Sequence, residues 1–341
     1  MKKRNWFDKG LFAGNLVFAV LLLLAYLLPW VPAKSFPILA VLSLAFPLLV
    51  LVNIGFLLFW LLRFKKQWLL SLLVILVGFG MVRSLYVFGG KKPKATLDDA
   101  LTVMSYNVRL FNLYDWIDDP LIQDKIVELV TKESPEVLCV QEFLVETKNE
   151  FKQYPYSYIK PRSKNNKMGL AIFSKHEIVD SGSLDFPNTS NNGVFADILY
   201  KKDTIRVYNL HLESLKIDTQ TQELTQENSE KLLKRISSAF VKQEQQGKAF
   251  ALHTDQHGHP QIVCGDLNNT AYSHAYKLVR GEMKDAFLEA GSGFGKTFNY
   301  KSLPIRIDFI FSSEGIEVQY FENLYPNYSD HFPIIAHFEL Q

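Results

Sequence analysis

The distribution of apolar residues constrains this chain more than any other sequence feature, because it divides the 341 residues into two unlike parts. Three apolar runs fill most of the N-terminal part, at about 11–31, 36–62 and 68–88. Each run is long enough to cross the roughly 30 Å hydrocarbon core of a bilayer as a helix. We therefore expect a membrane anchor of about three transmembrane helices in residues 1–95 and one globular domain in residues 96–341.

The residues that flank the apolar runs favour a retained anchor over a cleaved signal peptide. The basic residues at 2–4 would suit a signal peptide, but no small-residue cleavage site follows the first run, and two more runs do. Seven basic residues lie before the first run or between the second and third, against four in the other two flanks. Because positive charge favours the cytoplasmic side, we expect a multi-pass protein of the bacterial inner (plasma) membrane, with its globular domain in the periplasm.

The charged residues divide at the same boundary. Of the 37 basic and 35 acidic residues, twelve and one lie in residues 1–95, which leaves 25 basic and 34 acidic residues for the globular domain. Such an acidic domain has no general electrostatic attraction for a phosphate backbone, which counts against a nonspecific DNA-binding module. Cys139 and Cys264 lie in apolar runs, so we expect both to be buried structural thiols.

Beyond about residue 101, short apolar runs of strand character alternate with segments of helical spacing. The expected strands are at 101–108, 134–142, 167–175, 193–200, 204–212 and 305–313, with a further buried strand that includes residues 262–264 and a final strand after His331. The expected helices are at 121–133, 223–246 and 271–280. The run 223–246 is polar and charged with spaced apolar residues, which is typical of a surface helix.

Polar side chains stand at one end of several of these apolar runs. They are Asn107, Glu142, His211, Asp266 with Asn268, and Asp330 with His331. Rigid scaffolds present catalytic groups at strand ends, so clustered ends would form an oxygen-rich pocket with two imidazoles. The spacing of Asp266 and Asn268 in IVCGDLNN places both on one face of an extended strand. Oxygen ligands suit Mg²⁺ or Mn²⁺, and the absence of a Cys/His ligand set argues against structural zinc.

Six short motifs, in this order, resemble those of the endonuclease/exonuclease/phosphatase superfamily. They are MSYN (104–107), VQE (140–142), NLHL (209–212), GDLN (265–268), RIDFI (306–310) and SDHFP (329–333). The resemblance implies an α/β (α+β) fold, a four-layer sandwich of two mostly antiparallel β-sheets flanked by helices. It also implies a hydrolase that cleaves phosphate esters by attack of water, with Mg²⁺ or Mn²⁺ as cofactor.

The resemblance further implies which residues hold the metal and the phosphate. Glu142 would be the principal metal ligand, and Asp330 would contribute to a metal site. Asn107 would lie beside both the metal and the phosphate. Arg109, two residues after Asn107, is a candidate for phosphate recognition because a guanidinium forms bidentate hydrogen bonds with phosphate oxygens.

The implied catalytic residues are Asp266, Asn268, His331, Asp308 and His211. Asp266 would orient or deprotonate the attacking water, and Asn268 would position that water against the phosphate. His331, oriented by Asp308, would hydrogen-bond a nonbridging phosphate oxygen or move a proton. His211 matches a second histidine of the deoxyribonuclease and sphingomyelinase branches. Apurinic endonucleases lack it in this motif, which weighs against DNA repair.

Several alternatives for the function stay open. A nuclease or related phosphodiesterase is the leading expectation, with a phospholipid or sphingomyelin-type phosphodiesterase favoured by the anchor and the acidic domain. A catalytically silent binding module is the alternative outside enzymes. The basic loop that contains Lys160 and Arg162 is either a solvated surface or a border of the substrate site. The expected partners are a phosphate-ester substrate, either nucleic acid or a phospholipid headgroup, and the bilayer; no protein partner is inferred.

Overall fold

The structure is a computed structural model. It describes residues 6–89, 100–163, 166–216, 226–256, 258–300 and 303–341. The expected boundary between anchor and globular domain, at 95/96, and the lysines at 91–94 therefore lie outside the described residues.

The N-terminal segment is helical. Its helices are α1 (Trp6–Ala25), α2 (Pro37–Val41), α3 (Phe46–Leu62), α4 (Trp68–Val77) and α5 (Phe79–Val82). By length and composition, the helical stretches Trp6–Trp30 and Pro37–Leu62 are long and apolar enough to cross a membrane. The third expected span is instead divided into α4 and α5 at Gly78, so a count of three spans is not confirmed. A side chain at position 78 would collide with the Tyr26 ring, which explains why this residue is a glycine.

Polar contacts between the long helices fix their packing. Asn15 in α1 donates from Nδ2 to Ser71 Oγ in α4 at 2.7 Å, and Trp60 in α3 donates from Nε1 to Asn15 Oδ1 at 3.1 Å. Asp8 near the start of α1 pairs with Arg63 just after α3, with 2.9 Å between Oδ1 and Nη1. The start of α1 therefore lies beside the end of α3, and the two helices run antiparallel.

The globular domain contains two β-sheets and four flanking helices within the described residues. Its strands are β1 (Leu101–Asn107), β2 (Val137–Leu144), β3 (Tyr156–Ser163), β4 (Asn166–Ser174), β5 (Ile178–Ser183), β6 (Gly193–Tyr200), β7 (Asp203–His211), β8 (Gln261–Asp266), β9 (Lys284–Asp285), β10 (Asp308–Ser312), β11 (Ile316–Asn323) and β12 (Ile334–Leu340). Its helices are α6 (Ile122–Glu133), α7 (Gln226–Thr254), α8 (His274–Arg280) and α9 (Ala286–Ala290).

Each sheet has six strands, in the orders β11-β12-β1-β2-β4-β3 and β5-β6-β7-β8-β10-β9. The pairs β1/β2 and β7/β8 are parallel, and the other neighbours are antiparallel. The two sheets share one apolar core that includes Cys139 and Cys264, which are buried free thiols as expected.

Helices cover the outer faces of both sheets. Ile126 and Val130 of α6 pack on the first sheet, and Phe250 of α7 and Ala275 of α8 pack on the second. Helix, sheet, sheet and helix form four layers, so the expected α+β sandwich of mostly antiparallel sheets is confirmed.

The elements that the sequence pattern did not reveal lie at sheet edges. The strands β3, β5, β9 and β11 are the four edge strands. An edge strand has one unpaired side and often one solvated face, so its apolar pattern is weak. The helix expected at 223–246 also differs, because α7 continues to Thr254 and buries Gln243 completely.

Candidate active site

The polar strand ends meet at one edge of the sandwich. In the second sheet, the parallel strands β7 and β8 end at paired residues, His211 and Asp266. The antiparallel strand β10 begins there, with Asp308 opposite Asp266. In the first sheet, β1 ends at Asn107, whose side chain reaches across to the second sheet. The edge therefore collects polar groups from both sheets.

Asp266 is the centre of this group and is 1% exposed. Its Oδ2 accepts a hydrogen bond from Asn107 Nδ2 at 3.0 Å, and its Oδ1 accepts one from the Asn268 backbone N–H at 2.7 Å. His331 Nε2 lies 3.6 Å and His211 Nε2 lies 3.7 Å from Asp266 Oδ2. Oδ1 is thus held by the Asn268 backbone, while Asn107 and the two imidazoles surround Oδ2.

His331 and Asp308 form a buried pair. His331 Nδ1 lies 2.9 Å from Asp308 Oδ2 and 3.1 Å from Oδ1. A carboxylate at Nδ1 favours the tautomer that carries its proton there, and it also supports the imidazolium. The remaining ring nitrogen, Nε2, faces Asp266, so the pair brings one oriented nitrogen to the centre of the site.

Glu142, Asp330 and Arg109 lie on the more open side of the site. The Glu142 side chain is 33% exposed, and its Oε1 lies 3.9 Å from His211 Nε2. Arg109 Nε lies 3.2 Å from Asp330 Oδ2, and the guanidinium stacks 4.3 Å above the Trp116 ring. Arg109 is therefore engaged within the protein, at the rim of the carboxylate group.

Asn268 reaches the site by a different geometry from the expected one. The strand β8 ends at Asp266, and Asn268 has a left-handed backbone with φ of 49°. The expectation that both side chains project from one extended strand is therefore wrong. The side chain of Asn268 donates from Nδ2 to the Leu212 carbonyl at 3.1 Å. Both residues nevertheless line the same cavity.

Burial and neighbouring charges shift the pKa values of several residues in the site. Burial raises the pKa of Asp266 to about 6, and the neighbouring Asp308 charge adds to the increase. Burial by itself lowers the pKa of His331, but the charges of Asp308 and Asp266 outweigh it and raise that pKa well above its ordinary value. Burial lowers the pKa of His211 and raises that of Glu142. Burial therefore favours the neutral forms of Asp266, Glu142 and His211, whereas the neighbouring aspartates favour the charged form of His331.

The donor atoms fit a divalent cation. Among the described residues, Asp266, Asp308 and His331 offer ligand atoms within 4.8 Å of one another. His331 Nδ1 is already held by Asp308, so these two residues act better as a hydrogen-bonded pair than as two ligands. The carboxylates of Glu142 and Asp330, on the cavity side with Asp266, are hard oxygen donors of the kind that Mg²⁺ and Mn²⁺ prefer.

Two supporting residues have no role assigned from sequence. Ser329 donates from Oγ to the Asn107 carbonyl at 2.9 Å and accepts the His331 backbone N–H at 3.2 Å, which ties β1 to the last loop. The hydroxyl of Thr297 accepts the Asp308 backbone N–H at 3.0 Å. Ser329 lies inside the SDHFP motif, which is a usable signal, whereas Thr297 lies in no motif.

A buried amide network joins the two sheets beneath the site. Gln141 in β2 donates from Nε2 to Asn209 Oδ1 in β7 at 2.7 Å. Asn209 donates from Nδ2 to the carbonyls of Val140 and Ala171, both at 2.9 Å. Gln141 precedes Glu142, and Asn209 is two residues before His211, so this network sets the distance between side chains from different sheets.

Comparison with solved structures identifies the same fold at low sequence identity. The human nocturnin catalytic domain, solved with a bound sulfate, is 17% identical with a TM-score of 0.54, covering 71% of this chain and 94% of that one. An endonuclease/exonuclease/phosphatase from Bacteroides vulgatus is 19% identical with a TM-score of 0.55, covering 71% and 99%. Zebrafish (D. rerio) TDP2 in complex with a single-strand DNA product is 16% identical with a TM-score of 0.54, covering 71% and 100%.

Comparison with family models separates the two parts of the chain. Residues 8–85 match a domain of unknown function (DUF8431). No curated protein sequence matches the chain. Residues 104–331, which contain five of the six motifs and the first three residues of SDHFP, match the model of the Endonuclease/Exonuclease/phosphatase family. With that match over most of its length and the four-layer sandwich of its globular domain, this chain belongs to the endonuclease/exonuclease/phosphatase family.

Proposed function

We propose that this chain is a membrane-anchored, divalent-metal-dependent hydrolase of phosphate esters, of the nuclease and phosphodiesterase type. The observation that carries the proposal is the placement of the buried Asp266 carboxylate within 4 Å of the Nε2 atoms of both His331 and His211. A carboxylate and two imidazoles in one pocket supply both the proton acceptor and the hydrogen-bond donors that hydrolysis of a phosphate ester requires.

Glu142, Asp330 and Asn107 are the residues that would hold the cation, Mg²⁺ or Mn²⁺. When bound, such a cation neutralises charge on the nonbridging oxygens of the phosphate. Glu142 and Asp330 suit it because they line one cavity together with Asp266, and Asn107 hydrogen-bonds the Glu142 carboxylate.

The residues of the chain divide the chemical step between them. Asp266 orients the water and accepts its proton, while Asn268 positions the water against the phosphate. A bond forms between the water oxygen and phosphorus as the ester bond breaks, and the departing oxygen takes up a proton. His331, held by Asp308, donates from Nε2 to a nonbridging oxygen or supplies that proton. His211 binds the phosphate from the opposite side of Asp266.

The N-terminal segment is the proposed anchor. Two of its helical stretches have the length and hydropathy of membrane spans. The proposed division is an anchor at 1–95 and a catalytic domain at 96–341. The excess of basic residues near the start of α1 and after α3 supports a cytoplasmic location for that end. The proposed location is the bacterial inner membrane, with several passes and a periplasmic catalytic domain.

Two classes of phosphodiester fit the proposed reaction. The zebrafish relative was solved with a single-strand DNA product, which supports nucleic acid as the substrate here. The anchor and the excess of acidic residues in the globular domain favour a phospholipid instead.

The proposal is tested with the full-length chain in lipid nanodiscs and bis-p-nitrophenyl phosphate as substrate. We expect turnover with Mg²⁺ or Mn²⁺, its loss on chelation with EDTA, and recovery when the metal is returned. Asp266→Asn should lower kcat by about 10²–10⁴-fold, because proton transfer contributes about that much. Asp203→Asn, in the exposed hairpin turn, is the matched control and should leave kcat unchanged. Failure to cleave any phosphate ester with any divalent metal would instead support a binding module.

A further inference from the structure

An apolar cleft leads from the candidate active site to the N-terminal segment. It is a cavity of about 440 Å³ that contains Asp266, Asp330 and His331 at one end. The wall contributed by the globular domain includes Leu215, Phe294, Phe298, Tyr300 and Ile305, and the wall contributed by the N-terminal segment includes Leu44, Pro47 and Leu85. The helices of the proposed anchor thus line the same cavity as the catalytic carboxylates.

Specific contacts hold the N-terminal wall of the apolar cleft in place. The Phe46 ring stacks on the Tyr272 ring with centroids 4.0 Å apart. The backbone N–H of Lys34 donates to Glu244 Oε2 in α7 at 2.8 Å. Val87 exchanges two backbone hydrogen bonds with Gly293, at 2.9 and 3.0 Å. These contacts lie on both sides of the cleft, so its shape is a property of the folded chain.

A second cavity adjoins the active site, and a larger share of its lining is polar than in the apolar cleft. This basic groove has a volume of about 330 Å³ and shares Glu142 and Lys216 with the apolar cleft. Lys160, Arg162 and Asn192 also line it. Lys160 pairs with Asp185 at 3.0 Å, so Arg162 and Lys216 are the cations best placed to meet an anionic group. Glu142 therefore lies between the apolar cleft and the basic groove, with Asp266 and Asp330 on the side of the cleft and His211 on the side of the groove.

We propose that the substrate is an amphiphilic phosphodiester, whose apolar arm occupies the apolar cleft and whose polar arm occupies the basic groove. This inference rests on the proposed phosphoesterase function and names its substrate class. The phosphate would lie between the two cavities, beside Asp266 and His331. A nucleic acid has polar sugars on both sides of each phosphate and would gain little from the apolar cleft, whereas an alkyl chain gains free energy with each buried methylene.

The position of the cleft also indicates where the apolar arm comes from. Leu44 and Pro47 lie in the first half of the second long apolar stretch, Pro37–Leu62, and Leu85 lies just after α5. A lipid in the bilayer around these helices can thus enter the cleft from the membrane side without its chain crossing water. The N-terminal segment is therefore part of the substrate site as well as an anchor.

The test compares ethyl p-nitrophenyl phosphate with decyl p-nitrophenyl phosphate, below its micellar concentration, on the full-length chain in nanodiscs. The two esters share one leaving group, so only the apolar arm differs. We expect kcat/KM to be at least about tenfold higher for the decyl ester, since each buried methylene contributes up to about fourfold. Leu44→Gln should reduce this decyl-to-ethyl ratio at least about threefold.

Leu42→Gln is the matched control, because Leu42 is 50% exposed and does not line the cleft. It should keep the wild-type ratio, which separates binding in the cleft from partition of the decyl chain into the bilayer. Leu85→Gln provides a second test if Leu44→Gln does not fold.

The outcomes distinguish this inference from the proposed function. Two results would refute the binding of an apolar arm in the cleft without refuting the phosphoesterase function. One is cleavage of both esters with equal kcat/KM, and the other is a decyl-to-ethyl ratio that Leu44→Gln and Leu85→Gln leave unchanged. Faster cleavage of a single-stranded DNA oligonucleotide than of the decyl ester would also overturn it. Absence of cleavage of every ester would refute the proposed function itself, and this inference with it.

Discussion

At the scale of single residues, the site depends on one buried carboxylate and its neighbours. Asp266 receives hydrogen bonds from Asn107 at Oδ2 and from the Asn268 backbone at Oδ1, and two imidazoles also lie near Oδ2. Among the described residues, a carboxylate binds the other ring nitrogen of His331 but not that of His211. His331 is therefore better suited than His211 to carry a proton, and His211 to donate a hydrogen bond from a neutral ring.

The residue-scale prediction concerns Asp308. In Asp308→Asn, the neutral amide would support the His331 imidazolium less well, so Nε2 would be a weaker proton donor. The amide can also either donate to Nδ1 or accept from it, so it would not hold the ring in one tautomer. We expect kcat to fall by about 10²–10⁴-fold, as for comparable carboxylate–imidazole pairs. Steady-state kinetics on bis-p-nitrophenyl phosphate measures this change, and circular dichroism checks that the variant is folded. A variant that is folded and fully active would show that the pair is structural only.

At the scale of elements, the closeness of neighbouring strands determines the site. Gly265 in β8 lies directly against the backbone of β7, and a Cβ there would collide with the Leu210 carbonyl. The buried amides of Gln141 and Asn209 perform a similar task between the sheets, because they fix β2 against β7. The candidate catalytic side chains at the ends of these strands are therefore positioned by contacts one or two residues away.

The element-scale prediction is that Gly265→Ala destabilises the domain. Overpacking of this kind costs about 1–3 kcal/mol, and in a domain of this size each kcal/mol lowers Tm by about 2–4 °C. Differential scanning fluorimetry of the full-length chain measures the change. Gly258→Ala is the control, because no atom lies within 4 Å of a Cβ built there. Equal Tm values for the two variants would show that β7 and β8 can move apart to accommodate the added methyl group without loss of stability.

At the scale of the whole molecule, the N-terminal helices have two ends with different surroundings, one basic and one next to the globular domain. The start of α1 and the end of α3 meet where Asp8 pairs with Arg63. The other ends approach the globular domain, where the Pro29 carbonyl lies 2.6 Å from His274 Nδ1 and Arg83 donates to the Leu288 carbonyl at 2.8 Å. The basic end therefore lies away from the catalytic domain, as the proposed orientation in the membrane requires.

The whole-molecule prediction is that these two ends lie on opposite sides of the membrane. The native Cys139 and Cys264 are at most 1% exposed and should not react with a maleimide. Labelling of an introduced cysteine therefore reports on which side of the membrane that cysteine lies. A membrane-impermeant maleimide should label Asp203→Cys in cells whose outer barrier is permeabilised. It should label Phe64→Cys, at a site that is 97% exposed, only after the inner membrane is disrupted. The reverse pattern would place the catalytic domain in the cytoplasm.

The sequence by itself determined the elements and the candidate residues, because both depend on short-range patterns. Apolar runs marked the N-terminal helices and central strands, and six motifs in order indicated the family before any contact was known. The pattern failed at the edge strands β3, β5, β9 and β11, where one side is unpaired. It also failed within α7, where Gln243 resembles a surface residue but donates to the Glu213 carbonyl at 2.7 Å.

Only the tertiary structure decided which of these residues meet, because their contacts join distant parts of the chain. Asn107 and Asp266, 159 residues apart, are neighbours since each ends a central strand of a different sheet. Asn268 left the strand that its spacing suggested, because its backbone turns to bind Asp266. The apolar cleft has no sequence signature, since one wall comes from the N-terminal helices and the other from loops more than 100 residues later. Local patterns specify the side chains, and long-range packing determines the distances between them.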